Sequence, residues 1–134
     1  MYLIIVGAGI VSKQLVSIAT KQGHKIAVVE KNKERAREIM AEYDVRVFHA
    51  DIAKGNILDE LNVKDADAII ATTKDDSVNL MAMMLGKHHQ VKHLITMLQE
   101  TEHGGMFEQL GIRVLSDPEK LIANKLYSFV DSDK

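Results

Sequence analysis

The chain has 134 residues, a formal net charge of −2 and no cysteine, and 46% of its residues are hydrophobic. These values are ordinary for one globular domain. They exclude disulfides and thiolate metal sites, and they give no electrostatic reason for binding nucleic acid. No apolar run approaches the roughly 20 residues of a membrane span, and the sequence opens on a core strand rather than a signal peptide, so we expect a cytoplasmic protein without direct membrane insertion.

A strand, a glycine turn, a helix and a second strand are predicted at the N-terminus. Residues 3–6 (LIIV) are apolar and rich in β-branched side chains, which is typical of a strand buried on both faces of a parallel sheet. The turn at 7–9 (GAG) follows at once, and from Ile10 the apolar residues recur at helical spacing. The second strand covers residues 26–29 and finishes at Glu30. This order is typical of a nucleotide-binding βαβ unit.

The glycine turn predicts a phosphate-binding corner. Gly7 permits the tight turn, and Gly9 has no side chain, so a pyrophosphate can approach the backbone. The helix that follows offers unpaired N–H groups and a positive dipole end. Ser12 replaces the third glycine of the usual fingerprint, at a position that serves helix–strand packing rather than phosphate contact. The predicted corner comprises Gly7, Ala8, Gly9, Ile10 and Val11.

An acid at the end of the second strand predicts a ribose contact. Glu30 lies 23 residues after Gly7, and a carboxylate about 20 residues on can accept hydrogen bonds from a ribose diol. Its charge would repel a 2′-phosphate, so NAD is favoured over NADP. Lys31 follows directly and is placed in the same site, and Asn32 is predicted to cap the charged helix over 31–42.

The ends of the third and fourth strands are predicted to border the same crevice, because ligands of open α/β sheets bind at the carboxyl ends of the strands. Asp51, next to Ile52, either lies near the adenine or ribose or caps a short helix over 52–61, and the two roles are compatible. Thr72 and Thr73 are predicted to present hydroxyl and backbone groups to the cofactor, with simple turn chemistry as the alternative. Asn79 either hydrogen-bonds the ligand or caps the next helix.

The alternation of strands and helices predicts an α/β fold, a doubly wound Rossmann-type parallel sheet of about six strands with helices on both faces, in one domain over 1–134. Further helices are expected over 78–88, 101–110 and 119–130. The methionine-rich stripe of the helix over 78–88 is core or a subunit contact, and the apolar face of the last helix either packs on the sheet or crosses to a partner. A polar tail is predicted at 131–134. The predicted strands cover 3–6, 26–29, 45–48, 67–71, 92–98 and 112–115.

Catalytic and metal chemistry is not predicted. An oxidoreductase needs a substrate pocket and a proton-handling group beside the nicotinamide, and no residue pattern supplies them. No metal site is expected either, since the four clustered histidines straddle a helix end, a turn and a strand, with no H-x-x-x-H pair on one helix. Those histidines are His88, His89, His93 and His103.

Five segments together resemble the TrkA-N domain, also called the RCK N-terminal or KTN domain, of potassium-transport regulators. The match over residues 67–87 and the closing segment around Pro118 are more specific than the glycine turn. The segments are GAGIVSKQLV, VVEKN, HADI, ATTKDDSVNLMAMMLGK and LGIRVLSDPEKLIANKL.

The resemblance implies a Rossmann domain that binds NAD(H), with ATP, ADP or AMP as alternatives, at the cytoplasmic side of a membrane-embedded potassium channel or transporter. In that family, ligand exchange changes a dimeric or ring assembly and so gates ion flux. It implies a non-enzymatic homo-oligomeric regulatory subunit, cytoplasmic or held at the inner face of the membrane by its partner. The implied cofactor positions are Gly7, Gly9, Glu30, Asp51, Thr72 and Asn79.

Three features of the sequence depart from the family pattern. Ser12 stands in place of the third glycine, and Met97 stands where the fifth strand usually ends in an arginine, which weakens the expectation for phosphate or subunit contacts. The sequence stops after the nucleotide domain, so no C-terminal regulatory domain is expected, and the chain is either a stand-alone subunit or a fragment.

Two other functions compete with the regulatory one. They are a small NAD-dependent oxidoreductase acting as an oligomer and a degenerate Rossmann scaffold used only for protein contacts.

Overall fold

A computed structural model describes residues 1–54 and 56–132 of the protein. Six strands form one parallel sheet in the order β3-β2-β1-β4-β5-β6. This is the doubly wound Rossmann order, so the predicted fold class is confirmed. The strands are β1 Tyr2–Val6, β2 Lys25–Glu30, β3 Arg46–His49, β4 Ala68–Ala71, β5 His93–Leu98 and β6 Arg113–Ser116.

Helices follow the strands on both faces of the sheet, with a 3₁₀ turn at Val63–Asp65 before β4. Residue 55 of the predicted helix over 52–61 and residues 133–134 of the predicted polar tail lie outside the described residues. The helices are α1 Ile10–Lys21, α2 Lys33–Glu42, α3 Ile57–Glu60, α4 Asp76–His88, α5 Gly104–Gln109 and α6 Pro118–Asp131.

Two apolar layers cover β1, which is buried along its whole length. Alternate residues of a strand point to opposite faces. Leu3 and Ile5 therefore pack with Val16 of α1 and Ile39 of α2, while the intervening residues pack against α3, α4 and α5, where Met83 is fully buried. Burial on both faces explains why β1 is a continuous apolar run rather than an alternating one.

Two helices are shorter than the sequence predicts. Residues 52–54 form a turn, and α3 begins only at Ile57, so the helix predicted over 52–61 is wrong in its first half. The sequence has glycine and asparagine, two weak helix formers, at 55 and 56. The helix predicted over 101–110 begins at Gly104, because residues 101–103 form a turn closed by the Gly104 N–H donating to the Thr101 carbonyl at 3.2 Å.

The final helix, α6, buries none of its residues. It begins as predicted at an aspartate–proline pair: the Asp117 side chain accepts a hydrogen bond from the Lys120 N–H at 3.3 Å, and Pro118 occupies the first turn. Of the two roles left open for its apolar face, packing on the chain's own sheet is not what the structure shows. The large hydrophobic side chains that α6 leaves more than half exposed are Leu121, Ile122, Leu126, Tyr127, Phe129 and Val130.

The methionine stripe of α4 divides between core and surface. Met83 is fully buried, whereas Met81 and Met84 are 41% and 43% exposed. The core prediction is confirmed for Met83, and a subunit contact through the exposed methionines stays a prediction.

Candidate nucleotide-binding site

An open cavity of about 1020 Å³ lies at the carboxyl edge of the sheet, at the switch point between β1 and β4. It is lined by the residues that follow β1, β2, β3, β4 and β5 and by the start of α6. All the predicted site residues except Asn79 line it: Gly7, Ala8, Gly9, Ile10, Val11, Glu30, Lys31, Asp51, Ile52, Thr72 and Thr73.

Gly7 and Gly9 are needed for different reasons. Gly7 has φ +111°, a conformation that other residues adopt only with strain, and a Cβ there would lie 2.8 Å from Thr72 Oγ1. Gly9 has an extended backbone with φ −85° that any residue could adopt, and a Cβ there would have no neighbour within 4 Å among the residues described. The space above Gly9 is therefore cavity, as expected for a backbone that a ligand approaches.

The first turn of α1 points the positive end of its dipole at this corner. Gly9 occupies the N-cap, its carbonyl accepts the first helical bond from Lys13 N at 3.0 Å, and no acidic residue lies in the first turn. The N–H groups that begin a helix have no partner inside it. An anion placed here would meet both these donors and the helix dipole.

Glu30 is 7% exposed and lines the cavity at the end of β2. Within residues 1–54 and 56–132, no group donates a hydrogen bond to its carboxylate. Among the described residues, no fully buried side-chain oxygen lacks a partner, so the Glu30 oxygens open on the cavity and have acceptor capacity left for a ligand. The predicted cap beside it is confirmed, because the Asn32 side chain accepts from Arg35 N at 3.0 Å.

Asp51 closes a turn and also lines the cavity. Its carboxylate accepts from Ala53 N at 2.9 Å, which is a local Asx turn. The predicted capping role is wrong, because the helix it would begin starts only at Ile57. The other carboxylate oxygen of Asp51 has no bond among the contacts that the structure describes.

Asn79 is fully buried and does not line the cavity. Its side-chain oxygen accepts from Thr73 N at 3.2 Å, and its amide donates to the carbonyls of Thr73 at 2.9 Å and Met97 at 3.0 Å. The predicted capping role of Asn79 is wrong, because Asp75 caps α4, accepting from Ser77 N at 2.9 Å. The Asn79 amide is engaged by protein groups, and its ligand role stays a prediction. It braces the loop after β4 against the end of β5.

The threonine hydroxyls at the end of β4 are likewise engaged by protein groups. Thr72 Oγ1 donates to the Val6 carbonyl at 3.1 Å and contacts Ser12 Oγ. Thr73 Oγ1 lies 2.7 Å from Asn79 Oδ1. Both residues border the cavity, but their polar atoms hold the loop in shape.

Several cavity residues were not singled out from the sequence. Lys13 forms ion pairs with Glu38 at 3.3 Å and Glu42 at 3.2 Å, and its hydrogen bonds to these acids, that to Glu42 first, raise its pKa. Because the carboxyl ends of parallel strands border one crevice, the cavity residues that follow β5 and β6 could have been predicted from the sequence. The cavity residues missed for a ligand role include Lys13, Glu38, Val78, Gln99, Pro118, Glu119 and Ile122.

No group of three or more histidine, aspartate or glutamate side chains that could hold a metal occurs in the described part of the chain. Among residues 1–54 and 56–132, no helix combines the length and apolar character that crossing a membrane requires.

The parallel sheet with this strand order and a cavity at its switch point define a Rossmann-type domain. The family model of the TrkA-N domain matches residues 3–118. The chain therefore belongs to the TrkA-N domain family, and the resemblance stated from the sequence is confirmed.

Curated relatives and solved structures agree with this assignment. The "Trk system potassium uptake protein TrkA homolog" of Pyrococcus abyssi is 34% identical, with 95% of this chain and 59% of that protein aligned. The chain thus spans about 59% of the length of that relative. The crystal structure of the TrkA-N domain of the inner membrane protein ybaL from Escherichia coli superposes with a TM-score of 0.81 at 16% identity, covering 94% of both chains.

Two structures of the same channel also share the fold. The GsuK channel bound to NAD matches with a TM-score of 0.75 at 21% identity, over 85% of this chain and 21% of that chain. GsuK bound to ADP matches with a TM-score of 0.75 at 21% identity, over 86% of this chain and 31% of that one.

Proposed function

We propose that the cavity binds an adenine nucleotide, with NAD(H) preferred over ATP, ADP and AMP, and that the chain is a non-enzymatic regulatory domain for a potassium channel or transporter. The observation that carries the proposal is the pairing of Glu30, a mostly buried residue whose carboxylate opens on the cavity without a described donor, with the open corner at Gly9 in the same cavity. One end suits a ribose diol and the other a diphosphate. Lys31, Asp51 and Ile52 would border the adenosine.

The charges beyond the phosphate corner favour a dinucleotide over a triphosphate. We call this part of the cavity its far half: its charged lining residues are Lys74, Asp75 and Glu119, and its apolar ones include Met97 and Ile122. One cation against two acids gives no net attraction for a γ-phosphate, which needs a cationic clamp. An apolar wall suits the uncharged ring and ribose of a nicotinamide nucleotide. GsuK, a structural neighbour, has been solved with NAD and with ADP.

A regulatory role in potassium transport is supported by the family. The curated relatives carry the name of a Trk potassium uptake protein, and the chain aligns with only part of each. We infer that the domain works at the cytoplasmic side of a membrane-embedded transport protein, as a subunit or part of one. Its ligand would act by binding two arrangements of the assembly with different affinity.

The exposed face of α6 supports a homo-oligomer. Leu126 and Phe129 are 61% and 57% exposed, and large contiguous apolar patches mark interaction sites. On the α1 side of the sheet, the pairing of β4, β5 and β6 places Ile70, Ile95 and Leu115 on one face. Ile70 and Ile95 are only partly buried, and Leu115 is exposed. A second copy could cover both surfaces by exchanging its α6, in a symmetric dimer.

Calorimetric titration tests the ligand proposal. NADH, NAD, ATP, ADP and AMP would each be titrated into the purified chain. The Glu30→Gln variant should lose about tenfold in NADH affinity, since a hydrogen bond to a charged group contributes about 1.5 kcal/mol or more, and should discriminate less against NADPH. Glu34→Gln is the matched control, because Glu34 is exposed on α2 and does not line the cavity.

Each result bears on a separate part of the proposal. If the wild-type chain binds none of these nucleotides, the sensing function is refuted. Equal NADH affinity in wild type and Glu30→Gln would refute the ribose assignment alone. Steady NADH oxidation by the chain with a candidate substrate would contradict the non-enzymatic role. Leu126→Asp should shift the oligomer toward monomer in analytical ultracentrifugation, and an unchanged mass would refute the α6 interface.

A further inference from the structure

A buried hydroxyl and a partly buried one meet between α1 and the end of β4. Ser12, in the first turn of α1, has no exposed surface, and its Oγ lies 2.5 Å from Thr72 Oγ1. Thr72 Oγ1 in turn lies 3.1 Å from the Val6 carbonyl oxygen. The three groups form one continuous hydrogen-bonded chain from α1 to the end of β1.

The number of hydroxyl protons determines which group donates in each of these hydrogen bonds. A carbonyl oxygen can only accept, so the Thr72 hydroxyl donates its single proton to the Val6 carbonyl. The Ser12 hydroxyl must therefore donate to Thr72 Oγ1. The Val6 carbonyl also accepts the Thr72 backbone N–H at 3.0 Å, so both donors of Thr72 converge on one acceptor.

The hydroxyl pair sits directly beside the phosphate corner. An ideal Cβ on Gly7 would lie 2.8 Å from Thr72 Oγ1 and 3.5 Å from Ser12 Oγ, so the hydroxyls fill the space that a side chain would take. Val6 and Gly7 belong to one half of the cavity and Thr72 to the other, on either side of the switch point. A glycine in place of Ser12 could pack here but could not make this bond.

We propose that Ser12 is a positioning residue for the nucleotide site. Through Thr72, it holds the first turn of α1 against the end of β4 and so sets the spacing between the phosphate corner and the far half of the cavity. This inference rests on the proposed nucleotide binding. It gives the serine at the third fingerprint position a role that a glycine there does not have.

A double-mutant cycle on NADH affinity tests the inference. Ser12→Ala should weaken NADH binding about fivefold, the equivalent of one hydrogen bond. Thr72→Val also removes the bond to the Val6 carbonyl and should weaken binding at least as much. The double variant should bind no more weakly than Thr72→Val alone, because the bond between Ser12 and Thr72 is already absent there. Thr72→Ser keeps the hydroxyl and should stay within about twofold of wild type. Ser17→Ala, on the same helix and away from the cavity, is the matched control and should bind as wild type does.

A merely structural role predicts a different pattern. Packing alone would lower the melting temperature without nucleotide and leave the affinity of the folded protein unchanged, so affinities are measured well below the melting temperature of each variant. Additive effects of the two substitutions, or wild-type affinity in folded Ser12→Ala, would overturn the inference.

A ligand-free readout separates this inference from the proposed function. If wild type binds no nucleotide, the function is refuted, and the hydrogen-bond chain is then judged by amide hydrogen exchange. Ser12→Ala should speed exchange at the Thr72 N–H, whereas Ser17→Ala should not. Unchanged exchange in Ser12→Ala would overturn the positioning role as well.

Discussion

Replacing Gly9 with valine should abolish nucleotide binding while leaving the fold intact. The Gly9 backbone has φ −85° and ψ −163°, which valine adopts readily. Its Cβ would meet nothing within 4 Å among the described residues, but valine is less favourable than glycine at an N-cap. The free energy of unfolding should therefore fall by about 1 kcal/mol, which leaves the fold intact.

The effect on binding is much larger, because the new side chain occupies the space predicted for the diphosphate. A charge-assisted hydrogen bond contributes about 1.5–3 kcal/mol, and we expect at least two from the start of α1 to be lost. A loss of about 3 kcal/mol or more corresponds to at least a 100-fold weaker affinity. Calorimetric titration with NADH measures it, and urea denaturation measures the stability.

A matched substitution makes the comparison decisive. Gly105→Val in α5 also places a Cβ in open space, but Gly105 lies outside the cavity, so NADH affinity should not change. If Gly9→Val binds NADH as wild type does, the diphosphate does not lie over Gly9, and the phosphate corner is refuted. If Gly9→Val fails to fold, Gly9→Ala allows the same comparison with a smaller obstruction.

Three further predictions concern stability, measured by urea denaturation. Burial raises the pKa of Tyr2, whose hydroxyl donates to the Leu61 carbonyl. The native state therefore holds this proton more tightly than the unfolded chain does. Stability from Tyr2 should be complete below pH 10, the ordinary pKa, and should decline above it, and Tyr2→Phe should lack that decline. Asn79→Ala should cost about 3 kcal/mol, because it strands buried backbone groups, and a loss below about 1 kcal/mol would contradict the bracing role. Gly86→Ala should lower stability by about 1 kcal/mol, since overpacking exceeds the gain in helix propensity: its Cβ would lie 2.6 Å from a core leucine. Gly105→Ala, in open space, should not.

The sequence was sufficient to predict the first βαβ unit because every signal in it is local. The apolar run of β1, the turn at Gly7 and the acid ending β2 lie within 30 residues, and each follows from backbone preference or strand burial. The predicted bounds of these elements differ from the observed ones by only a residue or two.

The remaining site depends on contacts between distant parts of the chain. Ser12 and Thr72 are 60 residues apart in sequence, and nothing in either local pattern shows that their hydroxyls meet. The sequence places Asn79 in the first turn of a helix facing the crevice, yet its amide donates to the Met97 carbonyl on the neighbouring strand. The helix predicted over 52–61 is wrong in its first half for a local reason, because residues 52–54 form a turn and α3 begins only at Ile57.

The position of α6 connects the proposed nucleotide binding with the proposed regulation of an assembly. It borders the cavity only through its first turns, at Pro118, Glu119 and Ile122, and none of its residues is buried. Few contacts within this chain therefore fix its direction, and a ligand filling the far half of the cavity would add to them. In the proposed binding mode, NAD(H) would reach that half, whereas AMP would occupy only the side near Glu30, so the two would differ in the contacts they make with α6. A difference in affinity between two directions of α6 is what a nucleotide needs in order to change an assembly held by that helix.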